Sequence, residues 1–498
     1  MKKNDDLFKL IKSLEKPEKG YFKKFAQTYS KTADQQYLQL FDAMDAQKEY
    51  DEDAIIKKFR NTSLSTQISV AKNYLWELIL KSQRAYRANT SKFMRLNALM
   101  ENGEILFEKG LYQQALLTWE KAKKLALDFD EKAFILDIEA WKRRYFVDLR
   151  ADLWDQNVLP SFETTDKLLH QYSNTLAIQK IYFKSTKYIK TNPDFRNPEH
   201  KKEWDEIMKN PILSPENEPE DFYGKLYFNY VHSNYHHLSN NEEQNLFFIS
   251  KNIKLWESNP LLIEVEPIRY IAAVSNYLGT LSKFSRYQAF IDYVEAFKPP
   301  HFNSINQEAI YFEHWWLWKE ITFKITGDDI AFGNFIQETY ADLLKYAPYI
   351  NSVRWMLIRF GIAINYFKTN RFEEALKLTN EIIDAKDIEL RKDIQAHTRM
   401  MYLILHYELK NNLILESLSR SVKRYLIQNE NYFETEKVFI KFFNKLINAP
   451  DKSEAEQIVN DLNDEVNLIF ENNKSEKIAF MTMPLTVWLQ LRTKQKPR

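Results

Sequence analysis

The chain has 498 residues, of which 44% are hydrophobic and 15% aromatic, and its 70 Lys+Arg against 69 Asp+Glu leave a formal net charge of +1. Eight glycines, about 1.6% where roughly 7% is usual, nearly exclude glycine-dependent hairpins and phosphate loops, and near-neutrality excludes a bulk field drawing the molecule to nucleic acid or membrane. With no cysteine, disulfides, thiolate metal sites and cysteine nucleophiles are excluded together.

The opening MKKNDDLFKLIKS mixes charged and apolar residues and lacks the apolar core of a secretory signal. No later run approaches the roughly 18 apolar residues of a membrane span, so a cytoplasmic location and no membrane partner are expected. Leu7, Phe8, Leu10, Ile11 and Leu14 fall at helical spacing, and Pro17 opens a second helix that buries Phe22, Phe25 and Ala26. Further helices are predicted over residues 35–46, 53–59 and 65–86. The last two have roughly helix-turn-helix proportions, with Gln67, Ser69, Lys72 and Asn73 as the recognition face if they read DNA. Residues 1–95 as a whole read as an N-terminal helical bundle that caps a solenoid of stacked helices.

Residues 103–127 read GEILFEKGLYQQALLTWEKAKKLAL and describe two helices folded back on each other about Lys109-Gly110. Gly103 and Ala115 lack bulk where the helices cross, while Tyr112 and Trp119 fill the space beside them. Gly103, Gly110, Tyr112, Ala115, Trp119 and Ala122 fall at the spacing of a tetratricopeptide (TPR) repeat, which this stretch resembles; Asn102 and Leu106 depart from that pattern. The resemblance implies an all-α fold, an irregular TPR-like α-α superhelix or solenoid, whose surface binds a protein or an extended peptide.

Amphipathic helices are predicted over residues 131–149 and, beyond Pro160, two more end near residue 190. Five of the 15 prolines then fall between Pro193 and Pro219, which marks residues 193–220 as a connection between a first TPR-like segment, 96–192, and a second, 221–498. Within the second, Ala363, Tyr366, Asn370-Arg371, Phe372, Ala375 and Thr379 repeat the hairpin. Fainter copies centre on residues 278–294 and on Tyr407, Asn411-Asn412, Ile414 and Ser417. The acidic helix 453–473 and the run IAFMTMPLTVWLQL close the array.

Chemistry is sparse. Gly327 and Gly333 are not followed by the Lys-Ser or Lys-Thr of a phosphate loop, and nucleophile-elbow, zinc-protease and kinase patterns are missing, so no catalytic residue, cofactor or small-molecule substrate is expected. His232 and His236 share a helical face beside His237, a spacing that suits zinc only with a third ligand. With Glu242 and Glu243 across a turn, they read instead as polar residues near a helix end, and no metal is expected. His314, among Trp315, Trp316 and Trp318, reads as a packed core histidine. Two basic stripes stand out. Lys180, Lys184, Lys187 and Lys190 share one helical face, and Lys81, Arg84 and Arg87, continuing to Lys92 and Arg95, have no acidic residue among them. Either stripe suits nucleic acid or an acidic partner.

The expectation is therefore a non-enzymatic helical-repeat scaffold or adaptor for a protein or peptide partner, with Asn365, Lys368 and Arg371 as candidate contacts. The alternatives are a transcriptional regulator with N-terminal DNA-binding helices and a TPR-like sensor domain, and an RNA- or ribosome-associated factor.

Overall fold

The computed structural model describes residues 5–29, 34–60, 62, 64, 67–88, 91–149, 154–191, 198–385, 392–429, 431–473, 476–477, 480 and 483–493. Among them the chain forms 24 α-helices, two short 3-10 turns and no strand. It divides into two units: one comprises residues 1–189, 194–270 and 300–305, the other residues 190–193, 271–299 and 306–498. The proline-rich segment expected as a connection therefore lies largely in the first unit, where the helix Pro198–Met208 and the turns Pro211–Leu213 and Pro215–Asn217 bury Trp204 and Leu213. Residues 193–197 of that segment, Ser65, and the side chain of Lys190 lie outside the described residues.

The first unit begins with a small bundle of the helices Asp6–Ser13, Lys16–Tyr29, Asp34–Ala46, Glu52–Lys58 and Ile68–Tyr86 around Ile11, Phe22, Leu40, Phe41, Leu75 and Ile79. Glu18, in the first turn of the second helix, accepts from the Glu15 N–H at 2.8 Å, a capping contact, and is paired with Arg87 at 2.7 Å. The helices Lys92–Glu108 and Tyr112–Asp128 then pack as the predicted hairpin. Gly103 is needed there because a Cβ would fall inside the fully buried Trp119 indole.

A single backbone device closes these hairpins. Gly110 has φ 76°, its N–H bonds Phe107 O at 3.0 Å and the Leu111 N–H bonds Leu106 O at 2.9 Å. This is the paired arrangement in which a left-handed residue satisfies the last carbonyls of a helix. Asp130, Asn240, Ser285, Asn370 and Lys410, with φ between 53° and 58°, repeat both bonds at the ends of five other helices. Five of the six positions thus carry a side chain, which is how a chain so poor in glycine makes so many tight reversals. In the repeat-like pair Lys392–Glu408 and Asn412–Gln428 the left-handed residue is Lys410 rather than the asparagines after it.

Pro160 does not end a helix. Trp154–Thr191 is one helix of 38 residues with Pro160 inside it, where two shorter helices were expected beyond the proline. Proline removes one N–H bond, and polar bonds to residues of neighbouring helices, from Ser161 onward, hold the segment in place.

In the second unit the largest core gathers Phe360, Ala363, Phe367, Met401, Leu405, Phe443 and Trp488. The helix Pro484–Thr493 closes it: Trp488 Nε1 donates to Glu408 Oε1 at 2.6 Å, and Arg492 pairs with the same carboxylate. Glu436, in the first turn of the helix Glu434–Ile447, is only 4% exposed, and burial pushes its carboxyl up to about 7. The folded state therefore keeps a proton that the unfolded chain releases in the ordinary carboxylate range. Stability is expected to fall by about 3 kcal/mol as pH rises from that range to 7, and then to level off. Glu436→Gln should abolish this dependence and be the more stable form at pH 8, measured by urea unfolding at pH 5 and pH 8.

Candidate functional site

The histidines singled out by the sequence are structural. His232 is buried, with Nε2 3.0 Å from Leu213 O and its ring stacked 4.5 Å from Phe248; burial pulls it down to about 4. His236 stacks on the same phenyl ring. Among the described residues no group of three or more His, Asp and Glu is placed to hold a metal ion. His314 Nδ1 lies 2.6 Å from Ser275 Oγ, which also accepts from Trp318 Nε1 at 3.2 Å. Burial holds the His314 imidazole neutral, with its pKa pulled down to about 3.

The proposed groove contacts are occupied within the chain. Asn365 is buried rather than solvent-facing, because its Nδ2 donates to Asp329 O at 2.9 Å and so ties two successive helices together. Lys368 is paired with Asp329 at 2.9 Å, and Arg371 with Glu374 at 2.9 Å while lying 4.1 Å over the Tyr366 ring.

The basic run 81–95 is divided the same way. Lys81 and Arg84 are exposed, but Arg87 is committed to the buried Glu18. Lys92, 4% exposed, is bound by Glu131 at 2.6 Å, by Glu266 and by the Tyr223 hydroxyl at 2.8 Å. Arg87 and Lys92, without acidic neighbours in sequence, thus find their carboxylates elsewhere in the chain. On the N-terminal bundle Gln67, Ser69 and Asn73 are exposed, while Lys72 bonds the Tyr50 hydroxyl at 2.8 Å.

Lys180, Lys184 and Lys187 remain exposed on the helix Trp154–Thr191, Lys184 paired with Glu203 at 2.5 Å. This helix departs from the usual amphipathic pattern, with polar and apolar residues on both faces. Much of what it turns inward is polar. Ser161 Oγ donates to Glu139 Oε2 at 2.6 Å, and Thr165 Oγ1 accepts from Arg143 at 2.8 Å. Further along, Thr175 donates to Asp221 at 3.1 Å, Gln179 to the Tyr227 hydroxyl at 2.9 Å, and Ser185 accepts from Asn234 at 2.8 Å. Val158, Ile178, Ile181 and Tyr182 supply the apolar contacts among them.

These bonds reach into a buried ionic network. Lys132 bridges Asp130 at 2.7 Å and Asp221 at 2.8 Å, and Asp130 accepts from the Tyr223 N–H at 2.9 Å. Glu266 joins Lys92 to Arg269, whose guanidinium lies 4.6 Å over the Tyr223 ring. Burial and the neighbouring Glu266 raise the Tyr223 phenol well above its ordinary range, so it stays a donor. The network fixes the long helix in rotation as well as position.

Among the charged residues it turns outward, the helix carries large apolar side chains. Phe162 is 49% exposed, Leu169 49%, Leu176 46% and Phe183 59%, with Tyr172 also exposed between them. The four recur at every seventh residue and so form one stripe along the helix. Arg143 lies 4.6 Å over the Phe162 ring at one end. Exposed apolar side chains are ordinary when scattered singly, and their alignment along one helix is what sets these four apart. In the sequence the lysines of this helix mask the stripe; the seven-residue recurrence is the signal that reveals it. No family model, no curated protein and no solved structure matches the chain.

Proposed function

We propose that the chain is a non-enzymatic, cytoplasmic helical scaffold or adaptor that binds a protein partner through the outward face of Trp154–Thr191. The observation that carries this is the apolar stripe Phe162, Leu169, Leu176 and Phe183 on a helix whose inner side is held by polar bonds. A helix fixed in rotation presents its outer side chains preorganised, which lowers the ordering cost of association. The TPR-like arrangement of its helical hairpins belongs to the same proposal and rests on Gly103, Gly110, Tyr112, Ala115, Trp119 and Ala122.

The test is affinity capture from native lysate, with and without nuclease and at two salt concentrations, comparing the parent chain with Leu169→Glu/Leu176→Glu. One stoichiometric protein retained irrespective of nuclease, and lost from the variant, is the expected result. An unchanged capture pattern in the variant would refute the docking face. A second reading, a DNA-binding regulator, draws on the exposed Gln67, Ser69 and Asn73. It requires retention that nuclease abolishes and that Gln67→Ala/Asn73→Ala weakens.

A further inference from the structure

We infer that the occupant of this face is a second copy of the same chain, whose Trp154–Thr191 helix lies antiparallel across the first about a two-fold axis between Tyr172 and Ser173. The inference rests on the reading of the stripe as a docking face and names its partner. Its first support is the order of the side chains, Phe-Leu-Leu-Phe at equal intervals, which is unchanged when the helix is reversed. Turned about the axis, Phe162 meets the other copy's Phe183 and Leu169 meets its Leu176. A two-fold interface demands this reciprocity, in which one residue contacts a second and the second contacts the first.

Charge supplies the direction. Asp155 and Asp166 flank the stripe in its first half, Lys180 and Lys187 in its second, and all four are exposed. Neither Asp166 nor Lys180 has a salt-bridge partner among the described residues. Parallel pairing would set like charges side by side. Antiparallel pairing brings Asp166 of each copy beside Lys180 of the other, with Ser173 uncharged at the axis. The stripe spans three heptads and about 32 Å of helix, with Tyr172 exposed at its centre.

Sedimentation equilibrium over a wide concentration range is the primary measurement, with twice the 59.7 kDa chain mass as the expected limit. Leu169→Glu/Leu176→Glu, which alters only exposed positions and should leave the helical circular dichroism unchanged, is expected to weaken association by about 100-fold or more. Asp166→Lys should weaken it by about fivefold, and Asp166→Lys/Lys180→Asp should restore it.

Because the chain contains no cysteine, Ser173→Cys gives a single thiol close to its symmetry mate, and a short bismaleimide should couple two chains. Gln156→Cys thiols would lie about 50 Å apart in the antiparallel pair and should stay uncoupled. Equal coupling at both positions would overturn the direction. A chain that remains monomeric at every concentration, or a dimer untouched by the glutamates, would overturn the self-pairing. If the monomer nonetheless captures a different protein that the glutamate variant loses, the docking face stands and only its occupant is wrong.

Discussion

Trp119→Ala is expected to destabilise the first unit by about 3–5 kcal/mol, read as a shift in the urea midpoint followed by circular dichroism. The indole is fully buried, stacks 5.4 Å from Trp141, lies 5.8 Å from Phe107 and fills the space left by the missing side chain of Gly103. Its Nε1 has no hydrogen-bond partner, so the loss is one of packing and not of a polar contact. Gly103→Ala tests the same contact from the other side, and a cost of about 1–3 kcal/mol is expected because the new methyl group collides with the ring. In the double variant that cost should largely disappear, since the cavity left by the indole accepts the methyl. Additive losses would mean that the two residues do not determine each other.

Lys92→Met is expected to cost a similar amount, about 3–5 kcal/mol, by a different route. The methionine fills the volume but takes the cation from Glu131 and Glu266, 17% and 14% exposed, leaving Glu266 to Arg269 alone, and removes the donor to the Tyr223 hydroxyl. Lys92→Met/Glu131→Gln should recover part of the loss by removing the carboxylate charge that was paired with Lys92, Glu266 keeping its pair with Arg269. A loss below about 1 kcal/mol in the single variant would show that water reaches these carboxylates and screens them as it does surface pairs. The expected difference from Trp119→Ala is in pH dependence: acidification relieves the Lys92→Met variant as the stranded carboxylates protonate, and leaves Trp119→Ala unchanged.

The all-helical class is readable in the sequence because the scarcity of glycine and the three- and four-residue spacing of apolar positions act locally, and most helix limits fall within a few residues of those expected. The 103–127 hairpin is readable for the same reason, Gly103 and Trp119 each being required by the other. The continuity of Trp154–Thr191 is not, because Pro160 is a strong local signal and the polar bonds that override it come from residues such as Glu139, Arg143 and Asp221, far away in the chain. Asn365 and Lys92 illustrate the same limit. A polar side chain at the end of a helix reads as surface until the partner that claims it, Asp329 or Glu266, is brought beside it by the fold. The apolar stripe is written plainly in the spacing, but periodicity alone does not say which face of a helix is turned inward. Here the buried polar residues decide it.

The six matched reversals have an implication for how this fold varies. Their two closing bonds run from main chain to main chain, so the left-handed position itself asks little beyond tolerance, and Gly110, Asn240, Ser285, Asn370 and Lys410 serve alike, while Asp130 also binds Lys132 and the Tyr223 N–H. A side chain there costs on the order of 1 kcal/mol relative to glycine, a modest penalty spread over five sites. Geometry held in the peptide groups frees the lettering above it to drift. An architecture of this kind can outlast every recognisable signature, and its kinship is then better sought in the cadence of its turns than in its residues.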